Sequence, residues 1–231
     1  MKKRILISGA SIAGPALAYW LERYGFETTV VERAPAIRLG GYAVDVRGAG
    51  LAVLQRMGLL DEARRAATDT RATSFVDRQG RTTATFDRGF GVIDEGDVEI
   101  MRGDLAQLLH RATCDAVEYR FGDSIANLEH HDQGVRVTFE RGETRDFDLV
   151  LGADGLHSRV RRLTFGDEAQ FLRHLGSYMA IFSAPNFLEL DRLQLMHNLP
   201  GKVVSLKPVR GNGELKVTVF FSSPPISYDH Y

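Results

Sequence analysis

The chain has 231 residues, 44% of them hydrophobic, enough apolar material for one large or two small domains with buried cores. Its 29 basic and 30 acidic residues are mixed along the sequence and leave a formal net charge of −1. That excludes a basic face for nucleic acid and an acidic tail for a basic partner, and points to a small-molecule ligand. The single cysteine, Cys114, excludes an intramolecular disulfide and a cysteine zinc site, fits a reducing cytoplasm, and reads as a small buried hydrophobe.

The start MKKRILISGASIAGPALA has the outline of a signal peptide. Its apolar run is broken by Gly9, Ser11, Gly14 and Pro15, however, and it continues as one supersecondary unit. Arg4 to Ser8 (RILIS) is a short apolar run of the kind buried on both faces in a parallel sheet. From Ile12 to Tyr24 the residues Ile12, Ala16, Leu17, Trp20 and Leu21 recur at helical spacing, with Pro15 in the first turn and Gly25 at the end. Thr28 to Glu32 (TTVVE) is a β-branched second strand ending on an acid. Strand, glycine turn, helix, strand and terminal acid make a βαβ unit suited to a dinucleotide. Gly9 turns the chain, the helix start from Ser11 through Ile12 and Ala13 faces a pyrophosphate, Gly14 permits close packing, and Glu32 accepts from a ribose. Ser11 stands where the fingerprint has its middle glycine and reads as a tolerated variant. Glu32 argues for FAD or NAD, whereas Arg33 beside it could meet a 2′-phosphate.

Further along, Gly40 and Gly41 form a loop before GYAVDVRG, Gly50 to Met57 has helical spacing closed by Gly58, and Ala72 to Asp87 reads as a hairpin around Gln79-Gly80. Arg102 opens an amphipathic helix carrying Leu105, Leu108 and Leu109. Short alternating strands fill Ala116 to Val150, and Asp148 to Leu151 is another buried-type strand. The turn Gly152 to Gly155 then places Asp154 at a strand's carboxyl end, where it either faces a ligand crevice or caps the helix beginning at Ser158. From Phe171 on the sequence alternates as a sheet, with Tyr178, Met179, Phe182 and Met196 suggesting a hydrophobic pocket. His130, His131, His157 and His174 have no metal-ligand spacing and read as surface or loop residues. No stretch is long and apolar enough for a transmembrane helix.

Together, GASIAGPALA with Glu32 and Arg33, the GGYAVDVRG segment followed by a helix ending MGL, the arginine of EIMRGDLAQLL, and GADGLHSRVRR resemble the class A flavoprotein monooxygenases, of the p-hydroxybenzoate hydroxylase type. The resemblance selects FAD over NAD. It implies an α/β fold: a Rossmann-like FAD-binding domain (1–71 and 98–170) with an inserted, mostly antiparallel β-sheet substrate domain (72–97 and 171–231). It puts Gly9, Ser11, Ile12, Ala13 and Gly14 on the FAD pyrophosphate, Glu32 on the adenosine ribose, Arg33 near the adenine and Arg102 on the phosphates or ribityl chain. Asp45 falls near the flavin ring, and Asp154 in the motif linked to both FAD and NADPH. The implied reaction uses NADPH or NADH as co-substrate and hydroxylates an aromatic or polyketide-like small molecule through a flavin hydroperoxide. The family's second motif, a GD sequence contacting the ribityl chain, is missing. The expectation is therefore a truncated or fragmentary monooxygenase, inactive as it stands, or else a shortened protein that still binds FAD with its site completed by a partner chain. A non-catalytic flavin-binding remnant and an NAD(P)-dependent reductase are the alternatives.

Overall fold

The computed structural model describes residues 2–87 and 96–227. In chain order these form β1 (Arg4–Ser8), α1 (Ala13–Arg23), β2 (Glu27–Glu32), β3 (Ala43–Val46), α2 (Ala49–Met57), α3 (Leu60–Arg65), β4 (Ala72–Val76) and β5 (Thr82–Asp87). There follow β6 (Val98–Met101), α4 (Arg102–Arg111), β7 (Glu118–Phe121), β8 (Ile125–His131), β9 (Gly134–Phe139), β10 (Thr144–Phe147), β11 (Leu149–Gly152) and α5 (Arg159–Phe165). Four long strands end the described chain: β12 (Ser177–Pro185), β13 (Leu193–Leu199), β14 (Lys202–Pro208) and β15 (Glu214–Ser222). Two compact units result, one of Met1–Gly40 with Arg102–Leu172, the other of Gly41–Met101 with Arg173–Tyr231.

The first unit is built on a four-stranded sheet in the order β11-β1-β2-β7, with every neighbouring pair parallel. Successive side chains of β1 point to opposite faces, and both faces are covered. Ile5 and Ile7 pack with Ala18, Val30 and Val117 on the side of α1. Leu6 packs with Val31, Val137, Phe139 and Phe147 on the side of the antiparallel sheet β10-β9-β8. This two-sided burial is why RILIS is apolar without alternation, each fully buried aliphatic side chain contributing about 1.5–3 kcal/mol. The register aligns Ser8 with Val31 on one side and with Gly152 on the other. The carboxyl ends of β1, β2 and β11 therefore share one edge of the sheet.

The second unit carries a six-stranded sheet, β12-β15-β14-β13-β4-β5, antiparallel except where β13 runs parallel to β4. The expected hairpin is β4 and β5, paired antiparallel. A two-stranded ribbon of β3 and β6 and the helices α2 and α3 belong to the same unit. Residues 41–71 and 98–101, expected with the cofactor domain, group here with the sheet. The causes are local: β3 needs β6 to complete its hydrogen bonds, Thr68 N donates to Glu99 O at 2.7 Å, and Arg71 N donates to Arg192 O at 2.8 Å. Residues 88–95 of the expected 72–97 segment lie outside the described residues.

One expectation needs correction. Cys114 is exposed, because it falls in the turn after α4 whose buried positions are Thr113 and Val117. Tyr178, Met179, Phe182 and Met196 divide between the two faces of the six-stranded sheet. Pairing puts Tyr178 opposite Phe221 and Phe182 opposite Val217, on the face packed around Leu190, Leu215 and Val217. Met179, one residue out of phase, shares the other face with Met196.

Candidate cofactor site

At the shared strand edge, three backbone segments meet more closely than side chains allow. Gly9 leaves β1 with φ +106°, and its N–H donates to Val31 O at 2.8 Å. A Cβ on Gly9 would stand 2.5 Å from Ala153 O, and one on Gly14 would stand 1.8 Å from Gly9 O. The loop after β1, the start of α1 and the turn after β11 are thus in backbone contact through two glycines. Helix α1 opens at Ile12 with no side-chain cap and no acidic residue in its first turn, and Pro15 removes one donor. Among the described residues no hydrogen bond engages the N–H of Ser11, Ile12 or Ala13. These free donors at the positive end of an eleven-residue helix suit an anion, and the cradle that a Cβ would fill suits its close approach.

Glu32 ends β2 with its carboxylate fixed by backbone. Oε2 accepts from Ala10 N and Oε1 accepts from Ala34 N, both at 2.9 Å. Each oxygen keeps acceptor capacity, which is what a ribose diol requires. Arg102 is the first residue of α4, and Gly103 behind it lies so near the preceding loop that a Cβ would stand 2.0 Å from Leu39 O. From there Arg102 Nη1 donates to Ser11 Oγ at 2.7 Å and Nη2 reaches Gly40 O at 3.4 Å. Ser11, Glu32, Ile37, Arg38 and Arg102 line an open, shallow cleft. Arg38 is a residue the sequence reading missed: it is exposed, and among the described residues no hydrogen bond or ion pair engages it. The available signal was a second arginine, five residues after Arg33, in the loop that follows the strand-end acid.

The other expected residues are placed differently. Arg33 is exposed and is not among the residues lining the cleft. Asp154 lies at the strand edge, but its carboxylate turns into the protein. Oδ2 accepts from Arg159 N at 2.8 Å, Val160 N at 3.0 Å and Ser8 Oγ at 3.3 Å, while Oδ1 accepts from Ser158 Oγ. That is a helix cap for α5, helped by Ser158 Oγ accepting from Arg161 N at 3.0 Å. Asp154 therefore fixes the turn whose backbone touches Gly9.

Asp45 belongs to the second unit, on β3 directly opposite Glu99 of β6. Burial first, then the Glu99 carboxylate, push its pKa up, against the opposing pull of Arg47, whose Nη2 is 3.4 Å from Asp45 Oδ2. His157 is exposed, with Nδ1 2.9 Å from Glu168 Oε1. Among the described residues no group of His, Cys, Asp and Glu could hold a metal ion, and no helix is long and apolar enough to cross a membrane.

A parallel sheet with an uncapped helix over a double-glycine cradle and an acid at the next strand end defines a dinucleotide-binding protein of the Rossmann-like class. The FAD binding domain family matches residues 2–223, and the chain belongs to that family, that of the class A flavin-dependent monooxygenases. It is 48% identical over 232 residues to an uncharacterized protein of Mycobacterium tuberculosis, covering 99% of this chain and 62% of that one. It is 42% identical over 205 residues to a flavin-dependent monooxygenase of an unknown prokaryotic organism, covering 88% of this chain and 53% of the relative. Among solved structures, the tetracycline destructase Tet(51) superposes with a TM-score of 0.88 at 34% identity, over 98% of this chain and 58% of that one. The chain thus spans between about half and two thirds of the length of these relatives.

Proposed function

We propose that this chain is the FAD-holding part of a monooxygenase that takes electrons from NADPH or NADH and places one atom of O₂ on a hydrophobic or aromatic small molecule. The observation that carries the reading is the convergence of Ser11, Glu32 and Arg102, from three separate segments, on one cleft beside an uncapped helix. In this reading Gly9 and Gly14 give the diphosphate its close approach, and the N–H groups of Ser11, Ile12 and Ala13 bind it. Glu32 orients the adenosine ribose, and Arg38 and Arg102 neutralise the phosphates. Arg33 is assigned to the adenine side and Asp45 to the reacting end by resemblance alone. Bound FAD would supply the redox chemistry that activates oxygen, and the chain's own residues supply position and charge. Kinship with proteins named flavin-dependent monooxygenases and a tetracycline destructase supports an organic substrate.

The test is to load the purified chain with FAD and follow reduced-nicotinamide oxidation and O₂ uptake with aromatic and polyketide-like compounds, using isotopically labelled O₂. Labelled oxygen in an organic product supports the whole proposal. Flavin binding without turnover reduces it to cofactor holding, and no flavin binding overturns it.

A further inference from the structure

We infer that Ser11 is a positioning residue: its hydroxyl brackets the Arg102 guanidinium in the orientation needed to meet the cofactor's diphosphate. This rests on the reading of the cleft as the seat of that diphosphate.

Serine at the middle position of a phosphate loop looks at first like a loss, because a side chain occupies space where the backbone should approach the phosphates. The structure gives that side chain a job. Ser11 Oγ accepts from Arg102 Nη1 at 2.7 Å, a contact between residues 91 positions apart that glycine could not make. Arginine carries five N–H donors in a rigid fork. One is bound to Ser11 and a second reaches Gly40 O at the longer distance of 3.4 Å, so the others remain for a ligand. The serine therefore does not compete with a phosphate for the cation. It removes rotamer freedom from a long side chain that a ligand would otherwise have to order, and that ordering normally weakens binding. The base of the arginine is packed as well, since the Leu39 backbone lies where a Cβ on Gly103 would stand, 2.0 Å from Leu39 O. Anchored at both ends, Arg102 stands in the cleft before any ligand arrives. A serine in place of glycine then exchanges a little space for a preset charge.

The experiment is a calorimetric double-mutant cycle on the full chain with Ser11→Ala, Arg102→Met and the double variant, each titrated with ADP, adenosine and FAD. Removing the hydroxyl is expected to weaken ADP and FAD binding about tenfold, equivalent to about 1.4 kcal/mol. Adenosine, which has no phosphate, should change less than about twofold. In the Arg102→Met background Ser11→Ala should also change ADP binding by less than about twofold, because the serine acts through the arginine. Ser11→Thr keeps the hydroxyl and should retain most of the affinity, which separates the hydroxyl's role from a general disturbance of the loop. Ser11→Ala binding ADP as tightly as the unaltered chain would overturn the inference. So would equal losses in both arginine backgrounds, or an equal loss for adenosine. If the unaltered chain binds neither ADP nor FAD, the cofactor reading itself fails and the inference falls with it.

Discussion

Replacing Gly14 by alanine sets two effects of opposite sign against each other, and the geometry decides between them. Gly14 is the second residue of α1, and alanine there should favour the helix by up to about 1 kcal/mol. The added carbon, however, would stand 1.8 Å from Gly9 O, 3.0 Å from Gly9 C and 3.4 Å from Ile7 Cγ2. The first distance is about 1.5 Å or more short of ordinary contact, and the obstacle is a backbone carbonyl held by β1, not the end of a flexible chain. Relief requires lifting α1 off the strand whose core it covers, through Ala18 against Ile5, Ile7 and Val30. Overpacking of this kind costs about 1–3 kcal/mol or more. The net expectation is destabilisation by about 2 kcal/mol, which lowers the melting temperature of a chain this size by roughly 4–8 °C. In the proposed binding mode the start of α1 holds the diphosphate, so FAD and ADP affinity should fall at least about tenfold as well. Thermal denaturation and ligand titration measure the two effects, with Gly213→Ala as control: it has no heavy atom within 4 Å of an added Cβ and should change neither. A Gly14→Ala chain that melts and binds as the parent does would refute the close-approach argument.

Three further substitutions probe the surroundings. Glu32→Gln leaves only one oxygen to serve the N–H groups of Ala10 and Ala34, so it should destabilise by about 1–2 kcal/mol and weaken adenosine-containing ligands more than free phosphates, by calorimetry. Asp154→Ala strips the cap from Arg159 N and Val160 N and should cost about 1–2 kcal/mol in denaturant unfolding, while Asp154→Asn recovers part of that. Asp123, with a side chain 2% exposed, is pulled upward in pKa by burial but held below the usual carboxylate range by the hydrogen bonds of Ser124 N, Arg120 and Arg141 N. A lowered folded-state pKa stabilises the fold above the unfolded value and is lost as pH falls through the folded one. Asp123→Asn should therefore cost about 2–3 kcal/mol near neutral pH, and the difference from the parent should shrink below about pH 4, as read from pH-dependent melts. A constant difference down to acid pH would refute this account of Asp123.

Local patterns made the βαβ unit and the order of later elements legible from sequence. RILIS, the helical spacing from Ile12 and the strand-end Glu32 each announce themselves within a few residues, since burial on both faces and a 3.6-residue period are short-range properties. What the sequence did not disclose depends on long-range pairing. The contact of Ser11 with Arg102 bridges 91 positions, and the pairing of β3 with β6 moves residues 41–71 to the other unit. Composition made Cys114 look buried, but its place in a turn exposes it. The opposite faces of Tyr178 and Met179 follow from strand register, which no local pattern fixed once both positions were apolar. Asp154 was readable as a cap or as a ligand-facing acid, and its carboxylate accepts from Arg159 N and Val160 N. Arg38 was passed over because Arg33, next to the strand-end acid, drew the reading, and a loop cation carries no periodicity.

In the proposed binding mode the cleft beside Gly9, Ser11 and Glu32 holds the ADP half of FAD. Titrating the purified chain with FAD by flavin fluorescence, with ADP, FMN and riboflavin as competitors, tests it most directly. FAD should bind at one site, ADP should displace it, and FMN and riboflavin should do so far more weakly because they lack the adenosine assigned to Glu32. Displacement by FMN as effective as that by ADP, or FAD binding unchanged by excess ADP, would contradict it.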